Sequence, residues 1–213
     1  MEEANQEILR KGLSELGLEL DDGRIAKLIG YHDLLMQRNL EFNLTGAKEE
    51  RESLIKNLLN ALGPWRQVHP TKFTIDVGSG GGLPGLPLAI ALDMKHMALC
   101  DSKQKKCRFL EEAAKAFAPA GTRVICADTN TIRERFQQVV TCGFGTLDKI
   151  LKVTRNCLAS SARILAYKGT RERITEEIEA CPKSEREWEI IPFKVPFLEE
   201  GTQRHLCVFK RGG

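Results

Sequence analysis

The feature that most constrains this chain is a cluster of glycines that follows a short apolar run. In the segment FTIDVGSGGGLPG, residues 73–85, five of the eight residues from Gly78 to Gly85 are glycine. Glycine is entropically costly to order and adds no side chain to a core. Such a cluster is typical of a backbone that something approaches too closely for side chains to fit. We therefore expect a strand that leads into a binding loop.

Short apolar runs alternate with amphipathic stretches from about residue 72 onward. This alternation predicts a parallel sheet covered by helices on both faces. The last two runs are too close together for a parallel crossover, so we expect them to pair antiparallel. The prediction is an α/β fold with a seven-stranded Rossmann-like sheet of five parallel strands and a C-terminal antiparallel pair. The predicted strands are residues 73–77, 96–100, 123–127, 137–141, 163–168, 188–195 and 203–211.

Three amphipathic helical patterns precede this region. We predict that residues 1–70 form a helical extension packed on a main domain of residues 71–213, and that Asp21 or Asp22 caps the second helix. Residues 1–70 carry 9 basic and 12 acidic side chains, whereas residues 71–213 carry 23 and 17. The basic excess of the second part suits an anionic partner without requiring one.

The seven cysteines show no C-x-x-C spacing, so we predict neither a metal site nor a redox motif. Several lie in apolar runs typical of buried thiols, and we infer a reducing compartment, the cytoplasm. No apolar stretch reaches the roughly 18 residues of a membrane span, and the N-terminus lacks a signal-peptide pattern. We expect no membrane partner. The sequence is silent on oligomeric state, and a monomer is the default expectation.

Two established ligand-binding patterns compete for the glycine loop. A phosphate-binding P-loop is excluded, because Leu86 and Pro87 follow Gly85 where that motif needs lysine. A dinucleotide fingerprint, G-x-G-x-x-G, matches from Gly80 to Gly85. A single match of this kind is a weak signal, and it keeps an NAD-binding oxidoreductase open as an alternative.

The pattern that competes with the dinucleotide fingerprint is the opening motif of S-adenosylmethionine-dependent methyltransferases. It is formed here by Asp76, Gly78, Gly80 and Gly82. The carboxylate of Asp76 suits the ammonium group of a methionine moiety, directly or through water, and would repel a pyrophosphate. Two prolines at the start of the following helix also remove N–H donors that a pyrophosphate would use. The methyltransferase motif is therefore favoured over the dinucleotide fingerprint.

Polar residues at the ends of the next two strands fit a nucleoside. Asp101 ends the second strand, where an acidic side chain accepts ribose hydroxyls in nucleotide-binding sheets. Asp128, Thr129 and Asn130 end the third strand and are placed to meet an adenine edge. Alternative interpretations are that Asp76 only caps a turn and that Asp101 and Ser102 only cap the next helix. Taken together, these residues favour a nucleoside cofactor.

Five segments occur in the order and spacing of one family: NLT (43–45), IDVGSGGGLPGLPLAIA (75–91), CDSKQKKCRFL (100–110), YKG (167–169) and QRHLCVFKR (203–211). In them the chain resembles the glucose-inhibited division protein B family, the bacterial 16S ribosomal RNA guanine-N7 methyltransferases. The resemblance implies the class I methyltransferase fold with extra N-terminal helices. It also implies S-adenosylmethionine as cofactor and small-subunit ribosomal RNA as partner.

The resemblance also implies roles for individual residues. Gly78, Leu83 and the backbone around Thr129 and Asn130 would contact the cofactor, and Ser102 follows the ribose-binding position. Lys168 would lie near the rim of the active site.

The chain departs from the family pattern at three positions. Asn57, Asn60 and Cys142 stand where family members typically carry His, Asp and Arg. Two hypotheses follow. The chain is an active methyltransferase, or it is a family member that binds the cofactor and RNA without turnover or with altered specificity.

Guanine N7 has a free lone pair and no proton to lose, so no catalytic base is needed and we name no catalytic residue. We predict Lys168, Lys103 and Phe144 as substrate contacts, with Phe144 as a platform on which a base stacks. Cationic side chains suited to phosphates are Lys103, Lys105, Lys106, Arg108, Lys168, Lys210 and Arg211. The run at 103–108 fits a solvated helix face equally well.

Overall fold

The computed structural model describes residues 1–212 and is built around one seven-stranded sheet. The strands are β1 (Thr74–Val77), β2 (Met97–Asp101), β3 (Arg123–Cys126), β4 (Phe136–Cys142), β5 (Leu158–Lys168), β6 (Trp188–Pro192) and β7 (His205–Lys210). Their spatial order is β3-β2-β1-β4-β5-β7-β6. Strands β1 to β5 are parallel, and β7 runs antiparallel to both β5 and β6. The predicted fold class is confirmed.

The largest difference from the predicted strands is at β5, which begins at Leu158 instead of residue 163. Its pairing with β4 shifts register between Phe136 and Gln138. Such an irregularity interrupts the alternation of side chains on which a sequence-based boundary depends. The early part of β5 therefore carries no clear strand pattern.

Helices cover both faces of the sheet. They are α1 (Glu3–Glu15), α2 (Asp22–Phe42), α3 (Glu50–Ser53), α4 (Asn60–Leu62), α5 (Gly85–Leu92), α6 (Gln104–Phe117), α7 (Leu147–Thr154) and α8 (Arg171–Ala180). A π-helical segment, Leu54–Leu59, joins α3 to α4. Within residues 1–212, no helix combines the length and the apolar character that a membrane span requires.

The N-terminal helices share a core with the sheet domain. Leu9 of α1 and Leu35 of α2 belong to the same buried cluster as Leu86 of α5 and Phe109 of α6. Asp21 caps α2 as expected, since its side chain accepts a 2.8 Å hydrogen bond from a backbone N–H of the first turn. Residues 1–70 thus bury their apolar faces against the main domain. The division of the chain at residue 70 stays our proposal.

One pair of cysteines differs from the sequence-based interpretation. Cys107 of α6 and Cys126 of β3 form a disulfide, with Cα atoms 5.7 Å apart. Sequence spacing did not predict this pair, because α6 and β3 become neighbours only in the folded sheet. The other five cysteines are free, and four of them are buried, in agreement with the expectation of buried thiols.

Candidate functional site

The loop between β1 and α5 takes a shape that requires glycine. Gly78, Gly80 and Gly82 have φ angles of 72°, 56° and 87°, in the left-handed region that side chains disfavour. Ser79 fixes the loop to the neighbouring strand, because its Oγ accepts a 3.0 Å hydrogen bond from the backbone N–H of Cys100. No sequence pattern indicated a role for Ser79. The result is a tight, bare bend at the carboxyl end of β1.

Asp101 stabilises this bend from the end of β2. Its Oδ2 accepts a 3.0 Å hydrogen bond from the N–H of Gly80, and its Oδ1 accepts one of 2.9 Å from the N–H of Lys103. A carboxylate offers about four lone-pair positions. Two therefore remain for ligand hydroxyls, and the side chain lies on a cavity wall. The carboxylate both orders the loop and is available to a ribose.

A cavity of about 430 Å³ opens beside the loop, and we call it the glycine-loop cavity. Its volume is within the range of small-molecule sites. Six of the ten predicted cofactor residues line it: Gly78, Asp101, Ser102, Asp128, Thr129 and Asn130. The structure therefore brings together residues from the ends of three strands, as the sequence pattern predicts. Lys106, Gly143 and Lys149 also line it, and no motif indicated the last two.

The other four predicted cofactor residues lie outside the lining of this cavity. Gly80, Gly82 and Leu83 form the remainder of the loop. Asp76 is fully buried, and its Oδ2 accepts a 2.9 Å hydrogen bond from the N–H of Gly85. Its Oδ1 is buried without a partner among the described residues. Burial raises the pKa of Asp76 to about 7.

Two residues predicted to contact substrate lie instead with the cofactor residues. Lys103 and Phe144 both line the glycine-loop cavity. The ring of Phe144 packs directly on Gly78, in the space that a side chain at that position would occupy. The Nζ of Lys149 lies 5.0 Å from the centre of the same ring. The placement of Phe144 does not match a platform for RNA, because the loop after β4 folds back over the glycine loop.

A second cavity has a volume of about 690 Å³, and we call it the cationic cavity. Gly143 is a lining residue of both cavities. Its charged and polar side chains come from distant parts of the chain: Lys56, Asn60, Thr146, Lys168, Thr170, Arg173, Glu177 and Arg204. No sequence pattern indicated Lys56, Arg173 and Arg204. They lie in the π-helical segment, in α8 and in the loop before β7, which are far apart in the sequence.

Lys168 lines the cationic cavity. Its Nζ lies 2.6 Å from a carboxylate oxygen of Glu177 and donates to the carbonyl oxygen of Gly145. The same carboxylate accepts a 3.0 Å hydrogen bond from the N–H of Leu147. Lys168 therefore anchors the loop after β4, and its charge is neutralised within the protein.

The three positions that depart from the family pattern have different environments. Asn57 is satisfied internally, because its Nδ2 donates to Thr45 at 2.8 Å and to Ser53 at 3.0 Å. Cys142 lines the cationic cavity, and burial raises the pKa of its thiol to about 11. Asn60 also lines this cavity, and its Oδ1 is buried without a partner among the described residues.

Two cationic side chains predicted to contact phosphate lie elsewhere. Lys210 is opposite Arg163 in the ladder between β5 and β7, whereas Lys168 is opposite His205 at the end that carries both cavities. Because β7 is antiparallel, Lys210 and Arg211 lie at the opposite end of the β5–β7 ladder from the two cavities. Their contact with phosphate stays a prediction.

Curated relatives resemble the chain over nearly its whole length. The ribosomal RNA small subunit methyltransferase G of Chromobacterium violaceum is 32% identical over 200 residues, which cover 93% of this chain and 94% of the relative. The proteins of the same name from Aromatoleum aromaticum and Pseudomonas aeruginosa are each 33% identical, over 95% of this chain and over 97% and 94% of the relatives.

Solved structures share the fold at low sequence identity. A ribosomal protein L11 methylase from Lactobacillus delbrueckii has a TM-score of 0.52 and 13% identity, covering 76% of this chain and 80% of that one. The TYW2 protein of P. horikoshii, solved in complex with MeSAdo, has a TM-score of 0.53 and 12% identity, covering 73% and 61%. These similarities support the fold assignment.

Residues 24–207 match the family described as "GidB: rRNA small subunit methyltransferase G". This match spans most of both the helical extension and the sheet domain. Together with relatives above 30% identity over almost the full length, it assigns the family directly. The chain belongs to the GidB family of ribosomal RNA small subunit methyltransferases G.

Proposed function

We propose that this protein transfers a methyl group from S-adenosylmethionine to N7 of a guanine in 16S ribosomal RNA. The observation that carries the proposal is that two cavities share the lining residue Gly143. One is built from a bare glycine loop and strand-end polar residues, and the other is lined by basic side chains. A nucleoside cofactor and an anionic polymer are thereby given adjacent sites.

The residues of the glycine-loop cavity fit the proposed cofactor. Asp101 retains acceptor capacity for ribose hydroxyls, and Gly78 lines the same cavity with the ring of Phe144 packed on it. Asp128, Thr129 and Asn130 lie at the wall where an adenine edge would bind. Asp76 is fully buried outside this lining, and its unpartnered Oδ1 is the acceptor that we assign to the ammonium of the methionine moiety, directly or through water. The cofactor supplies an activated methyl group on a positively charged sulfur.

The chemistry asks little of protein side chains beyond orientation. Guanine N7 attacks with its own lone pair, so the protein has to hold this atom in line with the methyl group. Among the described residues, no histidine lines either cavity. Cys142 is a neutral thiol near pH 7, since its pKa is raised to about 11, and N7 methylation requires no covalent adduct. The site therefore acts by positioning and not by acid–base catalysis.

The cationic cavity supplies groups for the RNA backbone. In residues 1–212, Arg173 and Arg204 have no carboxylate within salt-bridge distance. Both line the cavity and are available to phosphate oxygens, which are the main source of affinity for nucleic acids. The target guanine has to be unpaired or splayed out to enter such a cavity.

The proposal is tested by incubating the protein with radiolabelled S-adenosylmethionine and small ribosomal subunits that lack this methylation. We expect label in 16S ribosomal RNA, at a guanine N7 that chemical cleavage at 7-methylguanosine locates. The Asp101→Asn variant is the matched control, because it weakens the cofactor site without changing the cationic cavity. Absence of label in the presence of normal S-adenosylhomocysteine binding would contradict the enzymatic assignment and favour a binding role.

A further inference from the structure

Asn60 is a buried polar residue whose hydrogen-bonding capacity the protein does not use. The residue is 7% exposed and lies on the wall of the cationic cavity. Its Oδ1 has no hydrogen-bond partner among the described residues. Buried amide groups in proteins are nearly always paired, because an unpaired one loses its hydration without compensation. An unpaired amide at a cavity wall indicates a partner that the ligand brings.

The surrounding structure holds Asn60 in this position. The π-helical segment Leu54–Leu59 ends directly before it, and such segments occur frequently at functional sites. The next residue, Ala61, is fixed to the sheet, because its carbonyl oxygen accepts a 2.7 Å hydrogen bond from the buried hydroxyl of Tyr167. Tyr167 lines the same cavity. The amide is therefore presented to the cavity from a rigid support.

Asn57, in the same π-helical segment, has a side-chain amide whose donors are paired within the protein. The Nδ2 of Asn57 bonds Thr45 and Ser53, and this connects the loop after α2 to the helical segment. The side chain of Asn60, one turn further on, makes no such connection. Its polarity has no structural explanation within residues 1–212.

The chemistry of the amide matches one edge of a purine. Oδ1 is buried in the unliganded protein, so the amide has to rotate about its side-chain bonds to bring both its donor and its acceptor to the cavity. The Watson–Crick edge of guanine presents the O6 acceptor next to the N1–H donor. We propose that Asn60 binds this edge of the acceptor guanine, with Oδ1 accepting from N1–H and Nδ2 donating to O6. This inference rests on the proposed function.

Two consequences follow from this pairing. With its Watson–Crick edge on Asn60, the guanine carries N7 on its other ring, away from Asn60, and the base has to be unpaired. An amide that reads N1–H and O6 leaves the 2-amino group unread. A carboxylate at this position would instead accept from both N1–H and the 2-amino group.

The experiment measures binding of nucleoside monophosphates to the full-length protein saturated with S-adenosylhomocysteine, so that the glycine-loop cavity is filled. Saturation-transfer NMR titrations use guanosine, inosine, adenosine and 1-methylguanosine monophosphates. We expect the guanosine and inosine compounds to bind within about twofold of each other. We expect the 1-methylguanosine compound, whose N1 is blocked, to bind at least about fivefold more weakly.

Variants at position 60 separate recognition from folding. Asn60→Ala should weaken guanosine monophosphate at least about fivefold and remove the preference for guanosine over 1-methylguanosine monophosphate. Asn60→Asp should bind guanosine monophosphate more tightly than the inosine compound, because its second acceptor reads the 2-amino group. Asn57→Ala is the matched control, and it should lower the melting temperature without changing the preference among bases.

The outcomes distinguish this inference from the proposed function. Equal binding of the guanosine and 1-methylguanosine compounds, or unchanged guanosine binding in Asn60→Ala, would overturn the role of Asn60. Methyl transfer to 16S ribosomal RNA by the wild-type protein is measured separately, with S-adenosylmethionine and small subunits. Its presence alongside a negative result at Asn60 would leave the proposed function intact.

Discussion

The buried hydroxyl of Tyr31 donates a 2.7 Å hydrogen bond to the carbonyl oxygen of Gly81. Tyr31 belongs to α2 and Gly81 to the glycine loop, so an N-terminal helix directly supports the loop of the sheet domain. Leu35 of α2 also lies against Gly81. The helical extension is thus part of the structure that shapes the glycine-loop cavity, and it is more than a cover for the sheet.

Replacing Tyr31 by phenylalanine tests this support. The Tyr31→Phe variant leaves the carbonyl oxygen of Gly81 buried without its partner, which costs about 1–3 kcal/mol. We expect a lower melting temperature and weaker binding of S-adenosylhomocysteine, since the loop is no longer held from behind. Differential scanning calorimetry and isothermal titration calorimetry measure the two effects.

Tyr167→Phe is the control for this prediction. It removes another buried hydroxyl, whose 2.7 Å hydrogen bond goes to Ala61 instead of the glycine loop. We expect a similar loss of stability with unchanged affinity for S-adenosylhomocysteine. If both variants weakened the ligand equally, the specific link from Tyr31 to the loop would be refuted.

The contact between Gly78 and Phe144 gives a second prediction. Gly78 and Gly143 have nearly equal φ angles, 72° and 67°, so alanine causes similar backbone strain at both, about 1–2 kcal/mol. A side chain at position 78 also collides with the Phe144 ring, whereas nothing lies within 4 Å of a side chain at position 143. We expect Gly78→Ala to destabilise the protein more than Gly143→Ala in urea unfolding.

The double variant Gly78→Ala/Phe144→Ala isolates the collision. Without the Phe144 ring, the Gly78→Ala substitution should lower the free energy of unfolding only by the cost of backbone strain. This change is measured by comparing the double variant with the Phe144→Ala single variant. An undiminished cost would show that strain, and not the Phe144 contact, controls this position.

The glycine-loop cavity was largely predictable because its residues follow from local patterns. Glycines after an apolar run and acidic residues at strand ends are visible in the sequence, and a parallel sheet collects strand ends at one edge. Asp101 and Asp128 illustrate this: neither is near the other in sequence, yet both line one cavity. The strand order was not predicted, because the rules of connection limit the possible orders without fixing one.

The cationic cavity was not predictable in the same way. Lys56, Arg173 and Arg204 come from three elements that no single pattern connects. Phe144 was assigned to RNA because an aromatic between glycines suits stacking, but the fold places its ring on Gly78. The disulfide between Cys107 and Cys126 likewise depends on tertiary adjacency. Side-chain direction in loops is decided by packing, which periodicity does not report.

Asp101 orders the glycine loop and, in our proposal, also binds the ribose of the cofactor; a third prediction tests this second role. Asp101→Asn keeps the size of the side chain and one acceptor but loses the charge and half of the acceptor capacity. Hydrogen bonds to charged groups contribute about 1.5–3 kcal/mol, so we expect S-adenosylhomocysteine to bind about 10- to 100-fold more weakly. Asp128→Asn is the comparison, since the side chain of Asp128 accepts only a 3.3 Å hydrogen bond from the N–H of Asn130. Equal effects would contradict a special role for Asp101.

The last prediction concerns pH and the buried carboxyl of Asp76. In the unliganded protein its pKa is raised by burial to about 7, above the usual value of 3.8. The folded state therefore binds a proton that the unfolded state releases between pH 4 and 7, and the contribution of Asp76 to stability falls as pH rises through this window.

The ammonium group of a bound ligand reverses the preference of Asp76 for its protonated form, because a nearby positive charge favours the ionised carboxylate. Binding of S-adenosylhomocysteine below pH 7 then requires Asp76 to lose its proton, so affinity should fall about tenfold for each pH unit below 7 and level off above it. Isothermal titration calorimetry from pH 5.5 to 8.5, in buffers of different ionisation enthalpy, measures both the affinity and the released proton. Asp76→Asn should bind more weakly at pH 8 and show a flat pH profile. A wild-type profile as flat as that of the variant would exclude Asp76 as the partner of the ammonium group.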